Sequence, residues 1–178
     1  ISAAEAATYY ISPTGSGTDC TSGNPCSISR LEATSEPRPS PGETWILKDG
    51  TYNAPTTGPL FDLNCNTGHQ SGTALAPIVV RSENERGATL KSHPNSNNVL
   101  WMEGCNYWHW EGIVFRGSTN EVNVPGSTVI YLVSSSNNVF RRNILFEINC
   151  ANKDSCDTFF GWDRDTGVGS DNNLIEEN

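Results

Sequence analysis

The sequence predicts an all-β chain wound as a right-handed parallel β-helix, on three observations: no sustained amphipathic helix, a dozen short strand-like runs, and a spacing at which three of those runs recur together. No window keeps apolar residues at i, i+3, i+4 and i+7 for more than a turn, and Pro and Gly interrupt every candidate helix. The β-branched or aromatic runs are Thr8 to Ser12, Thr44 to Lys48, Leu60 to Leu63, Pro77 to Arg81, Thr89 to Lys91, Val99 to Met102, Tyr107 to Trp110, Ile113 to Arg116, Val129 to Val133, Asn138 to Arg141, Ile144 to Ile148 and Leu174 to Glu176. Gly, Asn, Ser and Pro turns separate them. Val99 to Val129 is 30 residues, while Tyr107 to Asn138, Ile113 to Ile144 and Phe115 to Phe146 are each 31. A period of that size holding three short strands is what one coil of a parallel β-helix requires, because each strand must bond to its equivalent one coil away.

The elements then fall in order within a single domain, 1–178, with an opening and cap segment over 1–43 and coils over 44–178. Stretches 64–76 and 151–171 are expected to leave the coil as loops, where function usually sits. Like side chains should stack, Ile113 on Ile144 and Phe115 on Phe146 inside, Arg116 on Glu147 outside. A further coil starts at Asn172, where Asn172-Asn173-Leu174-Ile175 echoes Asn137-Asn138-Val139-Phe140 at a spacing of 35. Asn97-Asn98-Val99-Leu100 has the same pattern but precedes the first strand of its coil, out of phase with the other two. The tract Ser134 to Asn138 reads as a turn with an asparagine stack rather than as nucleophiles. A β-helix leaves unpaired backbone on its last coil, so the end at Glu177-Asn178 is expected to meet another chain or further coils.

Charge and cysteine usage narrow the function. A net charge of -9 argues against nucleic acid as partner, since phosphate binding needs clustered Lys and Arg. No apolar run reaches the roughly 18 residues that span a bilayer, and the first seven residues are too short and acidic for a signal peptide, so the chain reads as a mature, secreted, extracellular product. Six cysteines fit that compartment. Cys20 with Cys26 and Cys150 with Cys156 share one close spacing, leaving Cys65 and Cys105 as the third pair. Spacing alone leaves the connectivity open.

A resemblance adds to this. Tyr9-Tyr10-Ile11-Ser12-Pro13-Thr14-Gly15, then Pro41-Gly42-Glu43-Thr44-Trp45-Ile46-Leu47-Lys48-Asp49-Gly50-Thr51-Tyr52, then Ala76-Pro77-Ile78-Val79-Val80-Arg81-Ser82 resembles the opening of pectate-lyase-like β-helix proteins, among them polysaccharide lyases of the chondroitinase B and alginate lyase type. The resemblance implies a polysaccharide partner with uronate residues, a basic side chain that takes the proton beside the uronate carboxylate, and calcium held by Asn, Asp or Glu. In those proteins such residues lie on later coils than this chain reaches, so the resemblance assigns no catalytic residue here. Adhesins and tailspikes share the opening, which leaves three functions in view: a polysaccharide lyase-like protein, a noncatalytic carbohydrate-binding or adhesion module, and a structural stalk.

Candidate site residues follow from chemistry. Calcium favours several hard oxygen ligands from a loop, and Asp157, Asp163 and Asp165 lie in the acidic stretch that also holds Asp154 and Asp171; solvated turn carboxylates are the plainer alternative. Arg141 and Arg142 could fork onto a sugar carboxylate, as could Arg116 from the outer face, although Glu111, Arg142 and Glu177 also read as a charge ladder on consecutive coils. Tyr107, Trp108 and Trp110 form a sugar platform if the tryptophans point outward, with Arg141 one coil above Trp110, and core if they point inward. His69, His93 and His109 show no metal-ligand spacing.

Overall fold

The computed structural model describes residues 6–54, 58–96, 98–118, 127–146, 156–162 and 169–178, with side chains at all of these except 127, 156–158 and 160–162. The strands are β1 (Thr8–Ile11), β2 (Thr44–Leu47), β3 (Gly50–Asn53), β4 (Phe61–Asn64), β5 (Ile78–Ser82), β6 (Ala88–Lys91), β7 (Leu100–Glu103), β8 (Trp108–Glu111), β9 (Val114–Arg116), β10 (Ser127–Val133), β11 (Val139–Arg141), β12 (Ile144–Phe146), β13 (Cys156–Trp162) and β14 (Leu174–Glu176). A 3-10 turn over Ile28–Glu32 packs against β4. From β2 onward each strand pairs, in parallel, with the strand three places later in the chain. The result is a parallel β-helix with three faces: a six-stranded sheet β1-β2-β5-β8-β11-β14 and two four-stranded sheets, β4-β7-β10-β13 and β3-β6-β9-β12.

Alternation along each strand sends every second side chain inward. Trp45, Val80, Trp110 and Phe140 stack on successive rungs of the six-stranded sheet, and none is more than 0% exposed. Tyr52, Leu90, Phe115 and Leu145 line the second face, and Phe61, Leu100, Ile130 and Phe159 the third. The three columns meet in the middle, where the Trp110 ring lies 5.8 Å from Phe61 and 6.1 Å from Phe115.

The corners set the register. Asn138 is fully buried; its Oδ1 accepts from the Trp108 amide at 2.9 Å and its Nδ2 donates to the Cys105 carbonyl at 3.0 Å. One coil up, Asn173 Oδ1 accepts from the Asn138 amide at 2.9 Å. The next corner repeats the arrangement, with Asn143 Oδ1 on the Ile113 amide at 2.9 Å and Asn178 Oδ1 on the Asn143 amide at 2.7 Å. Backbone bends recur with them: Tyr107, Asn137 and Asn172 have φ of 57°, 59° and 55°, and Gly112, Arg142 and Glu177 have 63°, 56° and 55°. Asn98 serves a different corner, the one before β7, where its Oδ1 accepts from the Thr128 amide at 3.2 Å. That removes the phase conflict in the sequence, because the Asn-Asn pattern marks a corner type rather than one corner.

Three expectations are corrected. The rung offset from β9 to β12 is 30, not 31: Phe115 faces Leu145, Val114 faces Ile144, and Phe146 lies over Arg116 on the outer face, 37% exposed. Aligning like with like chose the wrong register, since the Asn143 corner pins Ile113 and a one-residue slip turns every side chain over. Stretch 151–171 is not all loop, because β13 runs through it, parallel to β10. The strand over Gly50–Asn53 is also absent from the sequence reading; a glycine start and alternating polar residues weaken its signal. The echo of Val139 by Leu174 at 35 residues is observed. Disulfides join Cys20 to Cys26 and Cys65 to Cys105. Cys150 lies outside the described residues, and Cys156 opens β13.

Candidate functional site

Each face of the helix presents an outer set of side chains, and the candidate residues sort among them. On the six-stranded sheet, Arg81, Glu111, Arg141 and Glu176 occupy successive rungs of one outer column. Arg141 is ion-paired with Glu176, and the Arg142 guanidinium lies 3.7 Å from Glu111. The ladder foreseen through Glu111, Arg142 and Glu177 is therefore shifted by one residue, with Arg141 in line and Arg142 at the left-handed corner reaching back to the same glutamate. Phe140, not Arg141, lies over Trp110. A cavity of about 210 Å³ opens beside this column, lined by Arg81, Ser82, Glu83, Glu85, Glu111, Gly112 and Arg142. Its three glutamates outnumber its two arginines, which suits an exposed structural ladder better than a receptor for an anion. His109, next to Glu111 on β8, is held below the ordinary histidine range by burial, with Glu111 working in the opposite direction.

Trp108 and Trp110 are core. Both are 0% exposed, with rings stacked at a centroid distance of 5.8 Å. Trp108 Nε1 donates to the Gln70 carbonyl at 2.9 Å, so loop 65–76 closes over it. The outward platform is thereby overturned: the even-numbered residues of β8 face inward, and burying two indoles outweighs leaving them wet, at about 25 cal/mol per Å² of apolar surface. Tyr107 is a partly exposed corner residue rather than a strand residue, and its carbonyl accepts from the Ile78 amide at 3.0 Å.

Arg116 stands on the outer face of β9, with Lys91 one rung below and Phe146 one rung above. Its guanidinium lies 5.7 Å from the Phe146 ring centroid. Two cations thus occupy adjacent rungs here, whereas the column on the six-stranded sheet alternates in sign. Lys91 escaped the sequence reading, yet the 25-residue offset from Lys91 to Arg116 is one coil with a shorter connection.

The third face carries a second feature that the sequence reading missed. Asp62, Trp101 and Tyr131 occupy successive outward positions on β4, β7 and β10, and the Trp101 and Tyr131 rings lie 4.3 Å apart at 41°. The signal was present as Leu100-Trp101-Met102 and Ile130-Tyr131-Leu132, an aromatic between two core residues at a spacing of 30. Asp157 falls in β13 opposite Thr128, whereas Asp163 and Asp165 lie outside the described residues. Among the described residues no group of three His, Cys, Asp or Glu side chains is placed to hold a metal ion.

A pectate lyase, Pel9A, superposes with a TM-score of 0.58 at 26% identity, over 84% of this chain and 35% of that one. The chain has the pectate-lyase-like parallel β-helix fold. It therefore spans about a third of the length of that lyase. An alginate lyase from Paenibacillus sp. str. FPU-7 aligns with a TM-score of 0.43 at 17% identity, over 76% of this chain and 44% of that one. No family model and no curated protein matches the sequence.

Proposed function

We propose that this chain contributes coils to a secreted polysaccharide lyase-like protein that acts on an acidic polysaccharide. The likeness to a pectate lyase over 84% of the chain carries the reading. The outer column of Lys91 and Arg116 supports it, because neighbouring rungs lie about 4.8 Å apart and two cations at that spacing suit the carboxylates of a polyuronate laid along the helix axis. A guanidinium forks onto a carboxylate, and a lysine adds a point charge beside it. In the whole protein the reaction is a β-elimination: a base removes the proton next to the uronate carboxylate, a C=C bond forms as the C–O bond to the leaving sugar breaks, and the departing oxygen takes up a proton from water. The base is not assigned to this chain. Calcium would act by neutralising the uronate carboxylate, with Asp157, Asp163 and Asp165 as its proposed ligands.

Affinity electrophoresis through polygalacturonate, alginate and chondroitin gels tests the binding. Lys91→Ala with Arg116→Ala should weaken retardation on the preferred acidic polymer by about tenfold or more, with Arg141→Ala near wild type. Added salt should reduce retardation of the wild type. Unchanged migration of the double variant would remove these two residues from the site. A rise in ultraviolet absorbance from unsaturated uronates reports the activity separately.

A further inference from the structure

The four-stranded sheet β4-β7-β10-β13 carries its aromatic pair on the wrong side for a core. Along β7 and β10, Leu100, Met102, Ile130 and Leu132 fill the interior at 0% exposure, while Trp101 and Tyr131 between them face outward and remain partly exposed. Ring contact explains why two aromatics sit together, since such a pair is favourable. It does not explain what lies beside them. The rung below Trp101 holds exposed Asp62, a side chain too short to cover an indole, and the next outward position holds Asn64 facing Glu103. Glu32, from the 3-10 turn, borders the same edge, with its Oε1 accepting from the Asp62 amide at 2.7 Å.

We infer that Trp101, with Tyr131 behind it and Asp62 at its foot, forms a subsite for an uncharged sugar ring of a polysaccharide. A pyranose has an apolar C–H face to lie on the indole and a rim of hydroxyls to donate to the Asp62 carboxylate. An apolar peptide would cover those polar groups without pairing them, which is costly. A free uronate would meet Asp62 and Glu32 as like charges. The subsite thus divides labour with Lys91 and Arg116 on the neighbouring face: carboxylates there, neutral or esterified residues here. Only the class of polymer rests on the function proposed above.

The test is affinity electrophoresis of the full chain through fully methyl-esterified polygalacturonate, which is uncharged, beside unesterified polygalacturonate. The wild type should be retarded by the esterified polymer, Trp101→Ala about tenfold less, and Trp101→Phe nearly as much as wild type. Asp62→Ala, at an exposed position that leaves the fold intact, should also lose retardation. The Lys91→Ala and Arg116→Ala double variant should keep it. Absence of wild-type retardation by the esterified polymer, or wild-type retardation of Trp101→Ala or Asp62→Ala, overturns the subsite. Retardation by the esterified polymer alone supports the subsite and defeats the acidic-polymer reading, so the two fail separately.

Discussion

Replacing Asn138 with alanine isolates what a corner asparagine contributes. The side chain is fully buried and serves two backbone groups, accepting from the Trp108 amide at 2.9 Å and donating to the Cys105 carbonyl at 3.0 Å. Trp108 and Cys105 are themselves 0% exposed, so water does not replace the lost partner. Each orphaned buried group costs about 1–3 kcal/mol, and the pair together about 2–6 kcal/mol. For a chain of 178 residues this lowers the melting temperature by roughly 10 °C. Asn138→Asp keeps the acceptor and loses the donor, so it should fall further than half way only if the buried carboxylate adds its own desolvation cost. Urea unfolding followed by tryptophan fluorescence, with an unchanged m value, measures the loss. The bond between the Asn138 amide and Asn173 Oδ1 is a backbone donation that survives the substitution, so it does not inflate the figure. A loss below about 1 kcal/mol would show that the corner relaxes to satisfy both groups and that Asn138 does not hold the register.

Tyr107 occupies, at φ 57°, a corner that Asn137 and Asn172 occupy one and two coils later, so Tyr107→Asn should stabilise the chain by about 0.5–1 kcal/mol in urea titrations; a loss of stability would show that the phenol contributes contacts that offset its backbone strain. Burial holds the Glu43 carboxyl above its ordinary value of 4.5, partly opposed by hydrogen bonds from the Ser40 amide and Trp45 Nε1. The folded state therefore keeps the proton longer than the unfolded state, and stability declines as pH rises from the ordinary glutamate value through the raised one. Glu43→Gln should flatten that decline in unfolding curves taken from pH 4 upward, in steps of about half a unit. Equal slopes in the two proteins would contradict the assignment.

Much of the architecture was legible because it is written in local chemistry. Short β-branched runs, turn residues between them and a shared period of about 30 announce stacked coils, and the asparagines at 138 and 173 announce corners. Of the two described disulfides, Cys20–Cys26 joins a pair of close spacing and Cys65–Cys105 joins the pair left over. The candidate site was read less well. Trp108 and Trp110 attracted notice because tryptophan is conspicuous in sequence, whereas Trp101 and Tyr131, the outward pair, sit singly between apolar neighbours. Lys91 and Arg116 are 25 residues apart, a spacing hidden by the shorter connection between β6 and β9.

Composition and periodicity by themselves determined that the chain is a β-solenoid, because a strand repeat constrains hydrogen bonding however the coils turn. Which side of each strand faces the core was decided only by the folded structure. Alternation has a period but no sign, so Trp110 inward with Trp101 outward and the reverse look alike in sequence. The buried amide groups of Asn138 and Asn143 choose between them, by binding backbone one coil away and fixing the register of their coil on the one below.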